Sequence, residues 1–208
     1  VISMLHDDEP DEKLKEILNK PEDKGELEHL KNWSFNQFLY KNIKSYYGND
    51  SHLWFNSKAE TIIRANFKKI VRKELSCKLE KEGYKVSDTE FSPAGIIIKG
   101  ESSSLKNTEL FKNGFFEFQD ESSQLTSFLV NPVHKTLFDC CAGGGGKTLS
   151  IMNSFPNMKI TASDIRPRIL KEIRLRALRS GIKVSIKTLP QILNSTFDTV
   201  FIDAPCSG

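Results

Sequence analysis

The fold is decided by the stretch Asp139-Cys-Cys-Ala-Gly143-Gly144-Gly145-Gly146-Lys147-Thr148. The apolar run Leu137–Cys141 predicts a buried strand, and Lys147–Ser154 predicts a helix directly after the glycines. In a parallel α/β sheet, ligands bind at the carboxyl ends of the strands, where backbone N–H groups and a helix N-terminus converge. Glycines let a ligand approach the backbone closely. The stretch therefore predicts a small-ligand site, and a flexible turn without a ligand is the alternative.

The glycine loop departs from two common phosphate-binding patterns. The P-loop pattern G-x-x-x-x-G-K-[ST], aligned on Gly146, requires a first glycine where Cys141 stands. The dinucleotide pattern G-x-G-x-x-G meets the same conflict at Cys141. A P-loop nucleotide hydrolase is thus a competing hypothesis that the loop does not favour.

Strands and helices alternate after the glycine loop. The sequence predicts a helix over Arg166–Ser180 and strands over Lys159–Ser163, Val184–Lys187 and Thr199–Asp203. This alternation is typical of a parallel, doubly wound α/β sheet. We therefore expect a Rossmann-like fold whose first strand precedes the glycine loop.

Asp164 follows the second predicted strand of this sheet. An acidic side chain about twenty residues after a glycine loop can accept hydrogen bonds from both hydroxyls of a ribose. The alternative for Asp164 alone is the N-terminal cap of the next helix. A ribose acceptor beside a loop without a phosphate pattern favours a nucleoside cofactor that lacks phosphate. S-adenosylmethionine fits that description.

Cys206 comes directly after the last predicted strand, in the run Asp203-Ala-Pro-Cys206-Ser-Gly208. A strand beside the first would bring Asp203 and Cys206 to the ligand edge of the sheet. A thiolate that adds to carbon 6 of cytosine makes an enamine whose carbon 5 can attack a methyl sulfonium. The alternative for an isolated cysteine is a small buried apolar side chain.

Three regions are predicted along the chain: a helical region 1–50, a small α+β module 51–118 and a Rossmann-like domain 119–208. In the module, the sequence predicts one helix over Lys69–Gly83. It also predicts four extended segments: Thr61–Phe67, Tyr84–Thr89, Ile96–Lys99 and Phe115–Gln119. The carboxylate of Asp120 is predicted to cap a helix over Glu121–Val130.

Composition excludes several protein classes. The 208 residues are 38% hydrophobic and 27% charged, which is typical of a globular chain. The apolar runs are far shorter than the ~20 residues of a membrane span, so we expect no membrane association. Four cysteines without a C-x-x-C pair favour a reducing, cytoplasmic location without a disulfide framework or a metal site. Residues 1–30 carry a net charge of −6 and the rest +9, which permits a polyanionic partner, with a solvated surface as the alternative.

Four motifs in order resemble those of the RNA cytosine-5 methyltransferases of the Fmu/Sun (RsmB/Nol/Nop) family. The motifs are Gln119-Asp-x-Ser-Ser-Gln124, Asp139-x-Cys141-Ala-x-x-Gly-Gly-Lys-Thr148, Asp164 and Asp203-Ala-Pro-Cys-Ser-Gly208. In addition, Arg64-Ala-Asn66 is similar to a short strand in the family's RNA-associated module. The resemblance covers residues 55–208.

The resemblance implies a sheet that binds S-adenosylmethionine through nine residues: Cys141, Ala142, Gly143, Gly144, Gly145, Gly146, Lys147, Asp164 and Asp203. It implies methyl transfer to carbon 5 of a flipped-out cytosine in ribosomal or transfer RNA. The cysteine that matches Cys206 assists product release, and the nucleophile belongs to a Thr-Cys-Ser-like motif on the next strand. The sequence stops at Gly208, so we expect a truncated sheet and an incomplete catalyst. An inactive fragment that binds cofactor or RNA is the alternative.

Two positions depart from the family pattern, and a set of basic residues completes the expectations. Gly144 stands where the family usually has proline, so we expect a less rigid loop. Thr188-Leu-Pro190 stands where the family commonly has an acidic residue near the adenine. Two sets of basic residues are candidates for contacts with the RNA backbone. They are Lys68, Lys69, Arg72 and Lys73 in the module, and Arg166, Arg168, Arg174, Arg176 and Arg179 along the predicted helix. For the helix, a solvated face is the alternative.

Overall fold

The computed structural model describes residues 37–48, 59–131, 133–192 and 194–204. The chain divides into two compact units, 1–59 and 60–208. In the first unit the described part is helix α1, Gln37–Tyr47, which lies within the region predicted to be helical. The predicted catalytic residue Cys206 lies outside the described residues.

The second unit begins with an antiparallel sheet. Its strands are β1 Thr61–Ala65, β2 Lys85–Asp88, β3 Gly95–Lys99 and β4 Phe116–Phe118. The strand order is β2-β3-β1-β4. The helical elements of this part are α2 Arg72–Lys81, a 3-10 turn Ser103–Asn107 and α3 Glu109–Lys112. These strands lie where the sequence predicted the extended segments of a small α+β module.

The core of this part lies between the antiparallel sheet and α2. Ile63 pairs with Ile96 across β1 and β3, and both side chains are fully buried. Leu75 and Leu79 are one helical turn apart, so they project from the same face of α2 into this core. Phe116 on β4 is also fully buried in it. Burial of these side chains therefore fixes the helix on the sheet.

A parallel sheet follows. Its strands are β5 Thr136–Asp139, β6 Lys159–Ala162, β7 Ser185–Ile186 and β8 Thr199–Phe201. They are parallel in the order β7-β6-β5-β8, so β8 lies beside the first strand of this sheet as expected. The helical elements after the antiparallel sheet are α4 Glu121–Leu125, a 3-10 turn Thr126–Leu129, α5 Gly146–Ser154, α6 Leu170–Ser180 and a 3-10 turn Leu189–Gln191. The predicted Rossmann-like α/β fold is confirmed.

Two helix predictions are wrong in detail. Helix α6 begins at Leu170 rather than Arg166, because the Asp164 carboxylate accepts the Arg166 N–H and starts a turn before the helix. Ile169 is therefore the N-cap residue, and Asp164 is not.

The helix predicted over Glu121–Val130 is also shorter. Asp120 stands at the N-cap position of α4 but makes no side-chain capping hydrogen bond. The Thr126 hydroxyl donates to the Ser123 carbonyl at 2.7 Å. Hydroxyl bonds to preceding carbonyls compete with the helical backbone pattern, which is consistent with the change to a 3-10 turn here.

Two classes of feature are not found in the described parts of the chain. No helix there is long and apolar enough to cross a membrane. Nor do those residues include a group of three or more His, Cys, Asp or Glu side chains that could hold a metal ion.

Candidate functional site

A cleft of about 940 Å³ lies at the carboxyl edge of the parallel sheet. A volume of this size suits a small-molecule ligand. The structure brings eight of the nine predicted cofactor-binding residues into its lining: Cys141, Ala142, Gly143, Gly144, Gly146, Lys147, Asp164 and Asp203. The ninth residue, Gly145, is not part of the lining.

The glycine loop is hydrogen-bonded to the end of β6. The Gly143 N–H donates to Asp164 Oδ2 at 2.9 Å, and the Ala142 N–H donates to the Ser163 carbonyl at 2.9 Å. Gly143 has a φ of +52°, a left-handed conformation that glycine adopts without strain. The glycine loop and the acidic residue, which the sequence suggested as two parts of one site, are therefore in direct contact.

Gly145 faces helix α6 instead of the cleft. It has a φ of +82°, and a Cβ atom built on it would lie 3.0 Å from Ile173 Cγ1. Its N–H donates to the Ala142 carbonyl at 2.8 Å, inside the loop. Gly145 therefore allows the loop to pack closely on α6, which is a structural role that the motif did not distinguish from ligand contact.

Asp164 is held as a carboxylate. Its side chain is 4% exposed, whereas that of Arg166 is 60% exposed. Arg166 donates to Oδ1 from its backbone N–H at 2.9 Å and from Nε at 3.0 Å. The Arg166 side chain is the largest cause that lowers the pKa of Asp164, and the backbone N–H groups of Arg166 and Gly143 lower it further. Asp164 is therefore a charged hydrogen-bond acceptor at the wall of the cleft.

Asp139 is a site residue to which the sequence reasoning assigned no role. It is 1% exposed at the end of β5 and belongs to the cleft lining. Its Oδ2 accepts from the Thr148 hydroxyl at 2.6 Å, and its Oδ1 accepts from the Cys141 N–H at 3.3 Å. Burial raises the pKa of Asp139 to about 6, although the hydrogen bonds from Thr148 and Cys141 oppose the shift. The only signal in the sequence was its place at the start of the glycine motif.

Lys147 and Asp203 form an ion pair between the start of α5 and the residues after β8. Lys147 Nζ lies 2.5 Å from Asp203 Oδ2. The side chains are 25% and 47% exposed, so the pair lies partly in solvent at the cleft. Two predicted site residues that are far apart in sequence therefore come together as partners.

Gln119 connects the cleft to the antiparallel sheet. It belongs to the lining, and its Oε1 accepts from Arg64 Nε at 2.6 Å. Arg64 is 3% exposed. Burial lowers the pKa of Arg64 to about 10, while the charge of Glu117 opposes the shift and that of Arg176 adds to it. Residues from two of the quoted motifs thus meet in a buried contact that neither motif alone predicts.

The basic residues of the module are largely engaged within the protein. Lys69 Nζ donates to the carbonyls of Asn113 and Arg179, each at 2.6 Å. Lys68 Nζ donates to the Gly181 carbonyl. Arg72 donates to the Ser92 carbonyl at 2.9 Å and pairs with Asp88 at 2.9 Å.

The basic residues around α6 do not form one exposed face, which corrects the prediction. Arg176 and Arg179 point to Glu117, which is buried, and each side chain is less than a quarter exposed. Arg166 lies before the helix and pairs with Asp164. Three members of the predicted set are exposed, and their side chains make no hydrogen bond or ion pair with the described residues: Lys73, Arg168 and Arg174.

The chain is similar to known RNA methyltransferases. A family model described as 16S rRNA methyltransferase RsmB/F matches residues 127–208. The chain is 31% identical over 156 residues to the probable ribosomal RNA small subunit methyltransferase B of Bacillus subtilis (strain 168). This match covers 70% of this chain and 34% of that protein. The chain is also 28% identical over 160 residues to the ribosomal RNA small subunit methyltransferase B of Vibrio cholerae, and this match covers 74% of this chain and 37% of that protein. The chain therefore spans about a third of the length of these two curated relatives.

Two solved structures share the fold. The crystal structure of PH0851 superposes with a TM-score of 0.77 at 27% identity, over 93% of this chain and 47% of that one. A methyltransferase homolog protein from Pyrococcus horikoshii superposes with a TM-score of 0.74 at 23% identity, over 89% of this chain and 64% of that one.

Proposed function

We propose, because the chain belongs to the RsmB/F family of rRNA methyltransferases, that the protein transfers a methyl group from S-adenosylmethionine to carbon 5 of a cytosine in ribosomal RNA. The cleft at the edge of the parallel sheet is the proposed cofactor site. Cys206 is the proposed catalytic residue, with the role of assisting product release that the resemblance implies. The proposed location is the cytoplasm.

The hydrogen bond from the Gly143 N–H to Asp164 is the observation that carries the cofactor assignment. It joins the glycine loop and the candidate ribose acceptor in one site. The N–H groups of Gly143 and Gly145 are both used inside the protein, and the Lys147 ammonium is paired with Asp203. A P-loop directs such groups at phosphates. Their engagement elsewhere supports a cofactor without phosphate.

The charges of the cleft suit a cationic cofactor. Four acidic residues belong to the lining, Asp120, Asp139, Asp164 and Asp203, against three basic residues, Lys147, Arg166 and Arg176, so acidic groups are in slight excess. When bound, S-adenosylmethionine supplies a methyl group on a sulfonium centre, together with an ammonium group and a ribose. Asp164 can accept the ribose hydroxyls in place of the Arg166 side chain, while the N–H groups of Gly143 and Arg166 keep its carboxylate oriented.

The proposed RNA site adjoins the cofactor cleft. Asp203 and Ala204, which precede Pro205 and Cys206 in the sequence, line this cleft. An enzyme that modifies a base in RNA must expose the base and bring it to the reactive groups. A cysteine two residues after the cleft-lining Ala204 is a suitable partner for such a base.

Calorimetric titration with S-adenosylmethionine and with ATP and magnesium tests the cofactor. We expect S-adenosylmethionine to bind. Asp164→Ala should weaken binding by about ten-fold or more, because a buried charged acceptor is lost. Asp88→Asn, which changes a carboxylate on β2 outside the cleft lining, should leave it unchanged. Binding of ATP and magnesium without binding of S-adenosylmethionine would overturn the proposal in favour of a nucleotide hydrolase.

Methyl transfer tests the substrate. Small-subunit ribosomal RNA and transfer RNA, each transcribed in vitro, are incubated with S-adenosylmethionine labelled on its methyl group, and bisulfite sequencing locates the product. Because the resemblance places the nucleophile on a strand that these 208 residues do not include, the assay uses a protein that contains this chain together with that strand. With that protein we expect label on cytosine in the ribosomal RNA. If Cys206 assists release, Cys206→Ala should accumulate a covalent protein–RNA adduct. Cofactor binding without label in either RNA would contradict the transferase assignment and support a protein that only binds cofactor or RNA.

A further inference from the structure

A buried carboxylate on the antiparallel sheet holds two arginines of α6. Glu117, on β4, is 3% exposed. Its Oε2 accepts from Arg176 Nε at 3.0 Å, and its Oε1 accepts from Arg179 Nη2 at 2.6 Å. The Ser180 hydroxyl lies 3.3 Å from the same Oε1. The acidic side chain is therefore satisfied entirely by residues of one helix of the Rossmann-like part.

One of these arginines continues the contact to the glycine loop. Arg176 Nη1 donates to the Gly144 carbonyl at 2.8 Å. The guanidinium is planar and presents its N–H donors in a rigid fork, so fixing Nε on Glu117 also fixes the direction of Nη1. Arg179 binds the same carboxylate, but its side chain stacks on the ring of Phe111 at 4.2 Å instead of contacting the loop. The two arginines therefore share a partner but differ in what lies beyond it.

We propose that Glu117 and Arg176 are positioning residues that hold the glycine loop in its cofactor-binding conformation, so that the antiparallel sheet controls the affinity of the cleft. The inference rests on the cofactor site proposed above. Neither side chain is given a part in the chemical step.

The sequence of the loop explains why such a contact matters. Gly143 to Gly146 lack side chains, and glycine loses more conformational freedom on ordering than any other residue. The loop is fixed on the β6 side by the Gly143 N–H bond to Asp164 and on the α6 side by the Gly144 carbonyl bond to Arg176. If the ligand binds only the ordered loop, its apparent dissociation constant is inversely proportional to the fraction of molecules in which the loop is ordered. A ten-fold lower fraction therefore weakens binding ten-fold.

Arg176→Met and Arg179→Met form a matched pair of variants. Both remove a guanidinium from Glu117, and the two wild-type side chains are 22% and 23% exposed. Both variants should lower the melting temperature. Arg176→Met should also weaken the binding of S-adenosylmethionine by about ten-fold in calorimetry, as expected if the ordered loop becomes about ten times rarer. Arg179→Met should leave the dissociation constant within about two-fold of wild type. Glu117→Gln keeps a hydrogen-bond acceptor but loses the charge, so its dissociation constant for S-adenosylmethionine should lie between those of wild type and Arg176→Met.

Amide hydrogen exchange of the protein without ligand gives a second readout. Arg176→Met should speed exchange in the segment 141–147, where the Gly143 and Gly145 N–H groups are hydrogen-bonded, and Arg179→Met should not. Arg176 also lines the cleft, so weaker binding alone could reflect a lost direct contact and the exchange of the unliganded protein decides. Unchanged exchange in Arg176→Met, whatever its affinity, would overturn the inference. If wild type fails to bind S-adenosylmethionine, the proposed function fails, whereas the exchange experiment still decides whether Arg176 orders the loop.

Discussion

Replacing Asp139 by Asn should change how the stability of the protein depends on pH. Burial raises the pKa of the Asp139 carboxyl to about 6, against the opposing hydrogen bonds from Thr148 and Cys141. The same group in the unfolded chain has a pKa of about 4. Between these values the folded state holds more protons than the unfolded state. The free energy of unfolding of wild type therefore falls as the pH rises through this range.

The size of the effect follows from the two pKa values. A difference of about two pKa units, at about 1.4 kcal/mol per unit, corresponds to about 3 kcal/mol. This contribution of Asp139 is fully present below about pH 4 and is lost by the time the pH exceeds the folded pKa of about 6. Asn has nearly the same shape and does not ionise, so the variant lacks this dependence. Asp164, whose pKa is lowered, contributes in the opposite direction in both proteins and cancels in their difference.

Urea unfolding of both proteins, followed by far-ultraviolet circular dichroism at several pH values from 4 to 8, measures the difference. The free energy of unfolding of Asp139→Asn minus that of wild type should rise by about 2 kcal/mol between pH 4 and pH 7, because part of the full difference is already lost at pH 4, near the unfolded pKa. Loss of one hydrogen bond to Thr148 or Cys141 adds an offset that does not depend on pH. A difference that stays constant over this range, or that decreases, would refute the claim that burial dominates the pKa of Asp139.

Two further pairs of substitutions, each a test and its control, examine packing around the site. Asn66→Ala removes two 2.8 Å hydrogen bonds to main-chain carbonyls, so urea unfolding should show a loss of about 2–4 kcal/mol, whereas the exposed Asn157→Ala should stay within about 0.5 kcal/mol of wild type. Gly145→Ala and Gly100→Ala place alanine at φ values of +82° and +80°, and each should lose about 1–2 kcal/mol. Only at Gly145 does the new Cβ approach Ile173, so only that variant should weaken the binding of S-adenosylmethionine; equal affinities in the two variants would contradict the close packing of the loop on α6.

The order and type of the main elements could be predicted because they depend on local patterns. Alternating apolar runs and helical spacing give the sheet strands and α6, and glycine loops mark their ends. The start of α6 could not be predicted, because the Asp164 side chain takes the Arg166 N–H and delays the helix. A competing side-chain acceptor of this kind has no signature in hydrophobic periodicity.

The candidate site could be predicted only as far as its motif and its edge of the sheet. Parallel strand order brings the glycine loop, Asp164 and Asp203 to one edge, so their grouping follows from topology. The role of Asp139 depends on its burial and on the Thr148 hydroxyl that it accepts. Gly145 is a glycine like its neighbours in the loop, but it packs on α6. Residues within one motif therefore divide between lining the cleft and packing on a helix in a way that only tertiary structure determines.

The sequence also could not show which basic side chains have partners within the fold. A helix leaves the carbonyls of its last turn without partners inside the helix, and a nearby cation can satisfy them. Lys69 donates to the Arg179 carbonyl in the last turn of α6, so its ammonium has a partner within the fold even though the side chain is exposed. Changing Lys69 would remove its hydrogen bonds to the Asn113 and Arg179 carbonyls, so a loss of RNA binding could not be separated from a loss of stability. Variants that test contacts with the RNA backbone should therefore begin with Lys73, Arg168 and Arg174.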